Sequence, residues 1–142
     1  MSIEESQKEL IDQFADIDDW MDRYACIIDM GNSLEPLSEN LKTPDRLIEG
    51  CQSRVWLDAT LQPDGTVKYA ADSDAIIVKG MISMLVDVLS GHTPQEIIDA
   101  KLHFIDDIGL ADHLSPTRSN GLLAMLKQMR AYAIAFSAAG KA

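Results

Sequence analysis

The chain has 142 residues, 46% hydrophobic and 25% charged, with 8 Gly and 5 Pro, a composition suited to one compact domain over residues 1–142 and far from collagen-like or disordered sequences. Twelve Lys and Arg against 23 Asp and Glu give a formal net charge of -11, which repels a nucleic-acid backbone or an anionic membrane and argues against both as partners. No apolar run approaches the ~20 residues of a bilayer span, the N-terminus is acidic where a secretory signal is basic, and two cysteines are too few for a disulfide framework; the expected location is cytoplasmic, with both thiols free.

Ser2-x-x-Glu5 is a capping box, followed by Leu10, Phe14 and Ile17 at helical spacing. Asp18 and Asp19 offer a second cap before the stripe Trp20, Tyr24, Ile27 and Ile28, and Gly31 stands where a C-cap glycine belongs. Two closely joined helices are predicted over residues 2–30. Residues 32–44, with Pro36, Ser38, Asn40 and Pro44, read as a surface connection. From Val55 the period changes to two, with Val55, Leu57, Ala59 and Leu61 alternating with polar residues and Trp56. Gln62-Pro63-Asp64-Gly65 supplies a turn, and Val67 and Tyr69 continue the pattern, which predicts a β-hairpin with a third short strand around Leu47 and Ile48. Residues 75–90 are apolar almost all round, leaving a narrow stripe of Lys79, Ser83, Asp87 and Ser90, so this helix is expected to be central and buried. Thr93-Pro94-Gln95-Glu96 opens a short helix, Gly109 breaks the chain, and Ser115-Pro116 starts a last helix with its stripe at Leu122, Met125, Leu126, Met129, Ala133 and Phe136.

Among reactive side chains, Cys51 lies on the loop Gly50-Cys51-Gln52-Ser53, open to approach by another molecule. Cys26 lies on a helix, opposite the apolar stripe, and reads as structural. His92, His103 and His113 form no CxxC- or HxxxH-type pair with each other or with the thiols, which argues against a metal centre. Neither a GxGxxG nor a Walker-type loop is present, which removes dinucleotide and ATPase readings. A cysteine hydrolase needs one of the three His delivered to Cys51 by the fold. The methionines Met81, Met84, Met125 and Met129 fall on core faces.

Three runs in order carry a resemblance. They are Gly50-Cys51-Gln52-Ser53 with Val55-Trp56; Ala71-Asp72-Ser73-Asp74-Ala75 leading into Ile77-Val78-Lys79-Gly80; and Leu110 with His113-Leu114-Ser115-Pro116-Thr117-Arg118-Ser119-Asn120-Gly121-Leu122. Together they resemble the SufE family of sulfur acceptors, which work with PLP-dependent cysteine desulfurases in iron–sulfur cluster assembly. The resemblance implies an α+β fold, a small antiparallel sheet packed against helices as in IscU-type scaffolds. It places the sulfur-accepting thiol at Cys51, with Gly50, Gln52, Ser53, Asp74 and Arg118 in support. It implies a SufS-like or CsdA-like desulfurase as partner and an iron–sulfur scaffold complex as recipient. No cofactor is expected in this chain, PLP belonging to the partner, and the chain is expected to act as a sulfur-transfer partner and activator rather than an independent enzyme. Arg54 departs from the neutral polar residue expected there, and Cys26 belongs to none of the motifs. Burial of Cys51 against the hairpin and central helix is expected to raise its pKa, with Arg118 or Arg54 offsetting the charge of its thiolate. The competing readings are a non-covalent regulator of the desulfurase and a redox-active thiol protein resolved by Cys26.

Overall fold

Ser2 Oγ accepts the Glu5 N–H at 3.0 Å while Glu5 returns a bond to the Ser2 N–H at 3.3 Å, so the first helix begins where the sequence predicts. The computed structural model describes residues 2–51 and 53–140. In chain order they form α1 (Ile3–Ala15), α2 (Trp20–Asn32), 3-10 turns at Glu39–Leu41 and Pro44–Arg46, β1 (Val55–Leu61), β2 (Val67–Ser73), α3 (Ile76–Leu89), α4 (Pro94–Asp99), α5 (Phe104–Ile108), α6 (Leu110–His113) and α7 (Pro116–Gly140). The fold is α+β, an antiparallel hairpin packed on helices. Among the described residues, no helix is long and apolar enough to cross a membrane.

The hairpin pairs Val55 with Ser73 at one end and Leu61 with Val67 at the other. Its turn is closed by Asp64, whose Oδ1 accepts from the Thr66 N–H at 3.0 Å and the Thr66 hydroxyl at 2.6 Å, with Gly65 at φ +86°. The third strand expected around Leu47 and Ile48 is only a bridge from Leu47 to Trp56, and His92 makes a similar bridge to Val67 at the other edge. Pro44 and the 3-10 turn leave the chain too little extended backbone to pair further.

α3 is the central helix, as expected; Met81, Ile82, Met84, Leu85, Val88 and Leu89 are each at most 1% exposed. Burying a side chain of this size contributes roughly 1.5–3 kcal/mol, so α3 organises the core, touching α1, α2, β2 and α7. Gly31 is not the C-cap its position suggests: α2 runs through it and ends on Ser33. A Cβ on Gly31 would stand 2.7 Å from the Gly80 backbone nitrogen, and one on Gly80 would stand 2.1 Å from the Ile27 carbonyl oxygen. The two glycines let α2 and α3 cross backbone against backbone.

Residues 34–42, expected only as a surface connection, cover the outer face of the hairpin. Asp72, 5% exposed, accepts N–H groups of Ser73 at 2.8 Å and Leu37 at 3.3 Å, and faces the ammonium groups of Lys42 and Lys79, each at 3.4 Å. Burial pushes this carboxyl up, but the two N–H bonds and two lysines outweigh it and hold it below the ordinary value. Lys42 also lies over the ring of Trp56, the cross-strand partner of Asp72, 5.4 Å from its centroid. On the inner face the Tyr69 hydroxyl donates to the Met129 carbonyl at 2.6 Å, tying β2 to α7.

Candidate functional site

The loop that leads into β1 reaches α7 at Gly50. This residue has φ +93°, and a Cβ there would lie 3.2 Å from Cβ of Ala124, so both the left-handed backbone and the close approach call for glycine. The next residue, Cys51, turns inward. Its thiol donates to the Gly121 carbonyl at 3.5 Å, and a Cβ on Gly121 would meet the sulfur at 3.5 Å, an ordinary contact.

Cys51 opens onto a cavity of about 490 Å³ whose walls are Ile77, Val78 and Met81 of α3 and Thr117, Arg118, Gly121 and Met125 of α7, with Ser53, Ala75 and Ser115 completing it. The apolar wall comes from α3 and α7; among the described residues none from the hairpin strands lines the cavity, which corrects the expectation that the hairpin covers the thiol. The thiol is half-buried, and desolvation pushes its pKa above the ordinary cysteine value. Among the described residues no histidine lines the cavity, so the geometry provides no imidazole base for a cysteine hydrolase.

The other side of the loop is pinned to the end of β2. The Asp74 N–H donates to the Arg54 carbonyl at 3.2 Å, and Asp74 Oδ1 accepts the Arg54 N–H at 3.1 Å. Ser73 Oγ donates to the same Arg54 carbonyl at 2.8 Å. Asp74 is exposed, yet its carboxylate extends the hairpin's hydrogen bonding by one step toward Cys51. The Arg118 N–H donates to Ser115 Oγ at 3.3 Å as α7 begins, which sets Arg118 on the cavity wall. Just upstream the ring of His113 stacks on Trp20 with centroids 3.7 Å apart, and its carbonyl accepts the Tyr24 hydroxyl at 2.5 Å, fastening this corner to α2.

Of the residues expected at the site, the structure therefore places Cys51, Ser53 and Arg118 on one cavity, Gly50 at its edge and Asp74 behind the loop; Gln52 lies outside the described residues. Cys26 lines a different cavity, where Gln13 Nε2 approaches its sulfur at 3.7 Å and burial, reinforced by the charge of Asp29, raises its pKa. Sequence reasoning missed Gly121 as the partner of Cys51, although a glycine inside a helical pattern is a signal of close approach.

A family model described as SufE, Fe-S metabolism associated domain, matches residues 8–133. Among solved structures, the solution structure of a hypothetical protein from Thermus thermophilus is similar to this chain with a TM-score of 0.76 at 19% identity, covering 94% of this chain and 96% of that one. At that identity the likeness speaks to the fold, and it agrees with the α+β arrangement described above.

Proposed function

The chain belongs to the SufE family, with a role in iron–sulfur metabolism, and from that premise we propose that it is a sulfur acceptor and activator of a PLP-dependent cysteine desulfurase, taking persulfide sulfur onto Cys51. The observation that carries this reading is a free thiol on an open cavity walled by apolar residues of α3, with the cation Arg118 on the same cavity and, among the described residues, no acid–base partner lining it. Hydrolysis needs such a partner; sulfur exchange needs only a thiolate.

In the proposed step the Cys51 thiolate attacks the outer sulfur of a persulfide on the desulfurase. A sulfur–sulfur bond forms to Cys51, the bond between the two partner sulfurs breaks, and the partner's cysteine leaves as a thiolate, with no net oxidation. PLP supplies the carbon–sulfur chemistry in the partner, and no cofactor is assigned to this chain. Burial keeps the resting thiol protonated and slow toward oxidants. Arg118 offsets the negative charge that develops at Cys51, while Gly50, Ser53 and the Asp74–Arg54 pair set the loop. Residues 1–142 are read as one domain that docks a SufS-like or CsdA-like desulfurase over this loop and hands sulfur to an iron–sulfur scaffold complex.

The test is intact and peptide mass after incubation with a cysteine desulfurase and cysteine. One added sulfur on Cys51 is expected. Sulfur on Cys26, or labelling that persists in Cys51→Ser, overturns the reading, and stimulation of the desulfurase by Cys51→Ser identifies a non-covalent regulator instead.

A further inference from the structure

A second cavity, of about 520 Å³, opens between α1, α2, residues 33–35 and the C-terminal half of α3. Its floor is apolar, formed by Leu10, Met30, Leu34, Met84 and Val86. Its rim carries Asp29, Glu35 and Asp87, all exposed, and among the described residues no Lys or Arg lines it. None of these three carboxylates takes part in an ion pair among the described residues. Of the α3 residues that line it, Ser83, Val86 and Asp87 point away from Ile77, Val78 and Met81 on the Cys51 cavity, because a helix turns about 100° per residue, and Met84 forms the boundary between the two faces.

We propose that this groove is a docking site for an amphipathic helix of another protein, one whose apolar residues are flanked by Lys and Arg. Charge decides the class of partner: three unpaired carboxylates around an apolar floor, on a chain of net charge -11, attract a basic segment and repel an acidic one. Volume decides the manner of binding, since a cleft of this size takes a few anchoring side chains rather than a flat face. The floor suits an inserted helix because Met30 and Met84 are unbranched and reshape around different side chains. The groove and Cys51 lie on different sides of α3, so a protein held in the groove leaves the thiol free for a desulfurase. That last consequence rests on the sulfur-acceptor reading; the docking itself does not.

The experiment uses the full chain carrying Cys51→Ser, which leaves Cys26 on the groove wall as the only thiol. The probe is a synthetic helix of about five turns with Leu at i, i+3, i+4 and i+7 flanked by Lys and Arg, compared with a scramble of the same composition. The amphipathic peptide is expected to bind about tenfold tighter than the scramble and to slow alkylation of Cys26 by N-ethylmaleimide severalfold. Asp29→Asn with Asp87→Asn weakens it roughly tenfold, the upper end for two exposed ion pairs, and flattens its salt dependence. Both positions are exposed, and an unchanged melting temperature confirms folding. Equal binding of the scramble, binding without protection of Cys26, or unchanged affinity in the double variant overturns the proposal. So does a concentration-dependent dimer of the free chain that protects Cys26, which assigns the groove to a second copy. The double variant with Cys51 intact is expected to accept sulfur at the wild-type rate, so failure of the groove and failure of the Cys51 reading are separable.

Discussion

The Cys51 thiol donates to the carbonyl oxygen of Gly121, 3.5 Å away in the second turn of α7. The reactive sulfur of the proposed function is thus held by a helix carbonyl at the edge of the cavity. In the free protein, iodoacetamide is expected to alkylate Cys51 about tenfold more slowly at pH 7 than an exposed thiol, with the rate still climbing above the ordinary thiol pKa. Alkylation of Cys26→Ser protein at the rate of an unstructured cysteine peptide shows the thiol to be unprotected.

Arg118 is exposed, so its removal is expected to leave the melting temperature within about 1 °C of wild type while slowing sulfur acceptance about tenfold, the worth of one charge-assisted contact. Arg118→Lys is expected to recover part of the rate. Single-turnover mass measurements check this, and a wild-type rate in Arg118→Ala makes the residue a surface cation.

Asp74 acts through Arg54. Asp74→Asn keeps an oxygen that accepts the Arg54 N–H and is expected to behave almost as wild type, whereas Asp74→Arg removes the acceptor, costs about 1 kcal/mol of stability and changes desulfurase stimulation without unfolding the protein. Identical stimulation by both variants and by wild type separates this residue from the loop.

His103 ties α1 to α5, with Nδ1 at 2.5 Å from Asp107 and Nε2 at 2.7 Å from Glu4. The bond to Asp107, then that to Glu4, raises its pKa above the ordinary value. Because the folded state holds the proton more tightly, the contribution is complete below the unfolded pKa of about 6.5 and is lost as pH rises through the higher folded value. Melting temperature is expected to fall as pH rises from about 6.5 through the higher folded value in wild type and to lose that component in His103→Gln.

Gly80→Ala is expected to be the more damaging of two glycine substitutions, since its Cβ would lie 2.1 Å from the Ile27 carbonyl oxygen and that of Gly31→Ala 2.7 Å from the Gly80 nitrogen. Overpacking of about 3 kcal/mol exceeds the ~1 kcal/mol helix gain from alanine, so a fall of roughly 5 °C is expected by thermal melting. A rise in either variant shows that the helices separate freely.

Much of this is legible locally. The capping boxes at Ser2 and Thr93, the Asp64-Gly65 turn and the all-round apolar helix each depend on neighbours within a few residues, and each forms as its residues predict. Gly31 reads wrongly as a C-cap because its requirement comes from Gly80, almost fifty positions away, and a C-cap is the only local reason for it. The role of residues 34–42 is hidden for a similar reason: Asp72 lies on the strand face that alternation marks as polar, and only the returning chain, with Leu37 and Lys42, buries it. At the site, Cys51 stands out on its loop, but its contact with Gly121 joins residues seventy positions apart, which spacing cannot show.

The contact of Gly31 with Gly80 has a mechanical consequence for Cys51. With no side chain between them, α2 and α3 form a single stiff jaw, and α3 is one wall of the cavity around the thiol. That jaw cannot yield without separating two backbones. The opposing jaw is the loop bearing Cys51 and the first turns of α7, joined among the described residues by the weak thiol–carbonyl bond and by the close approach of Gly50 to Ala124, and turning at Gly50 with its positive φ. Any partner that brings the sulfur to the surface therefore has to pull on this side.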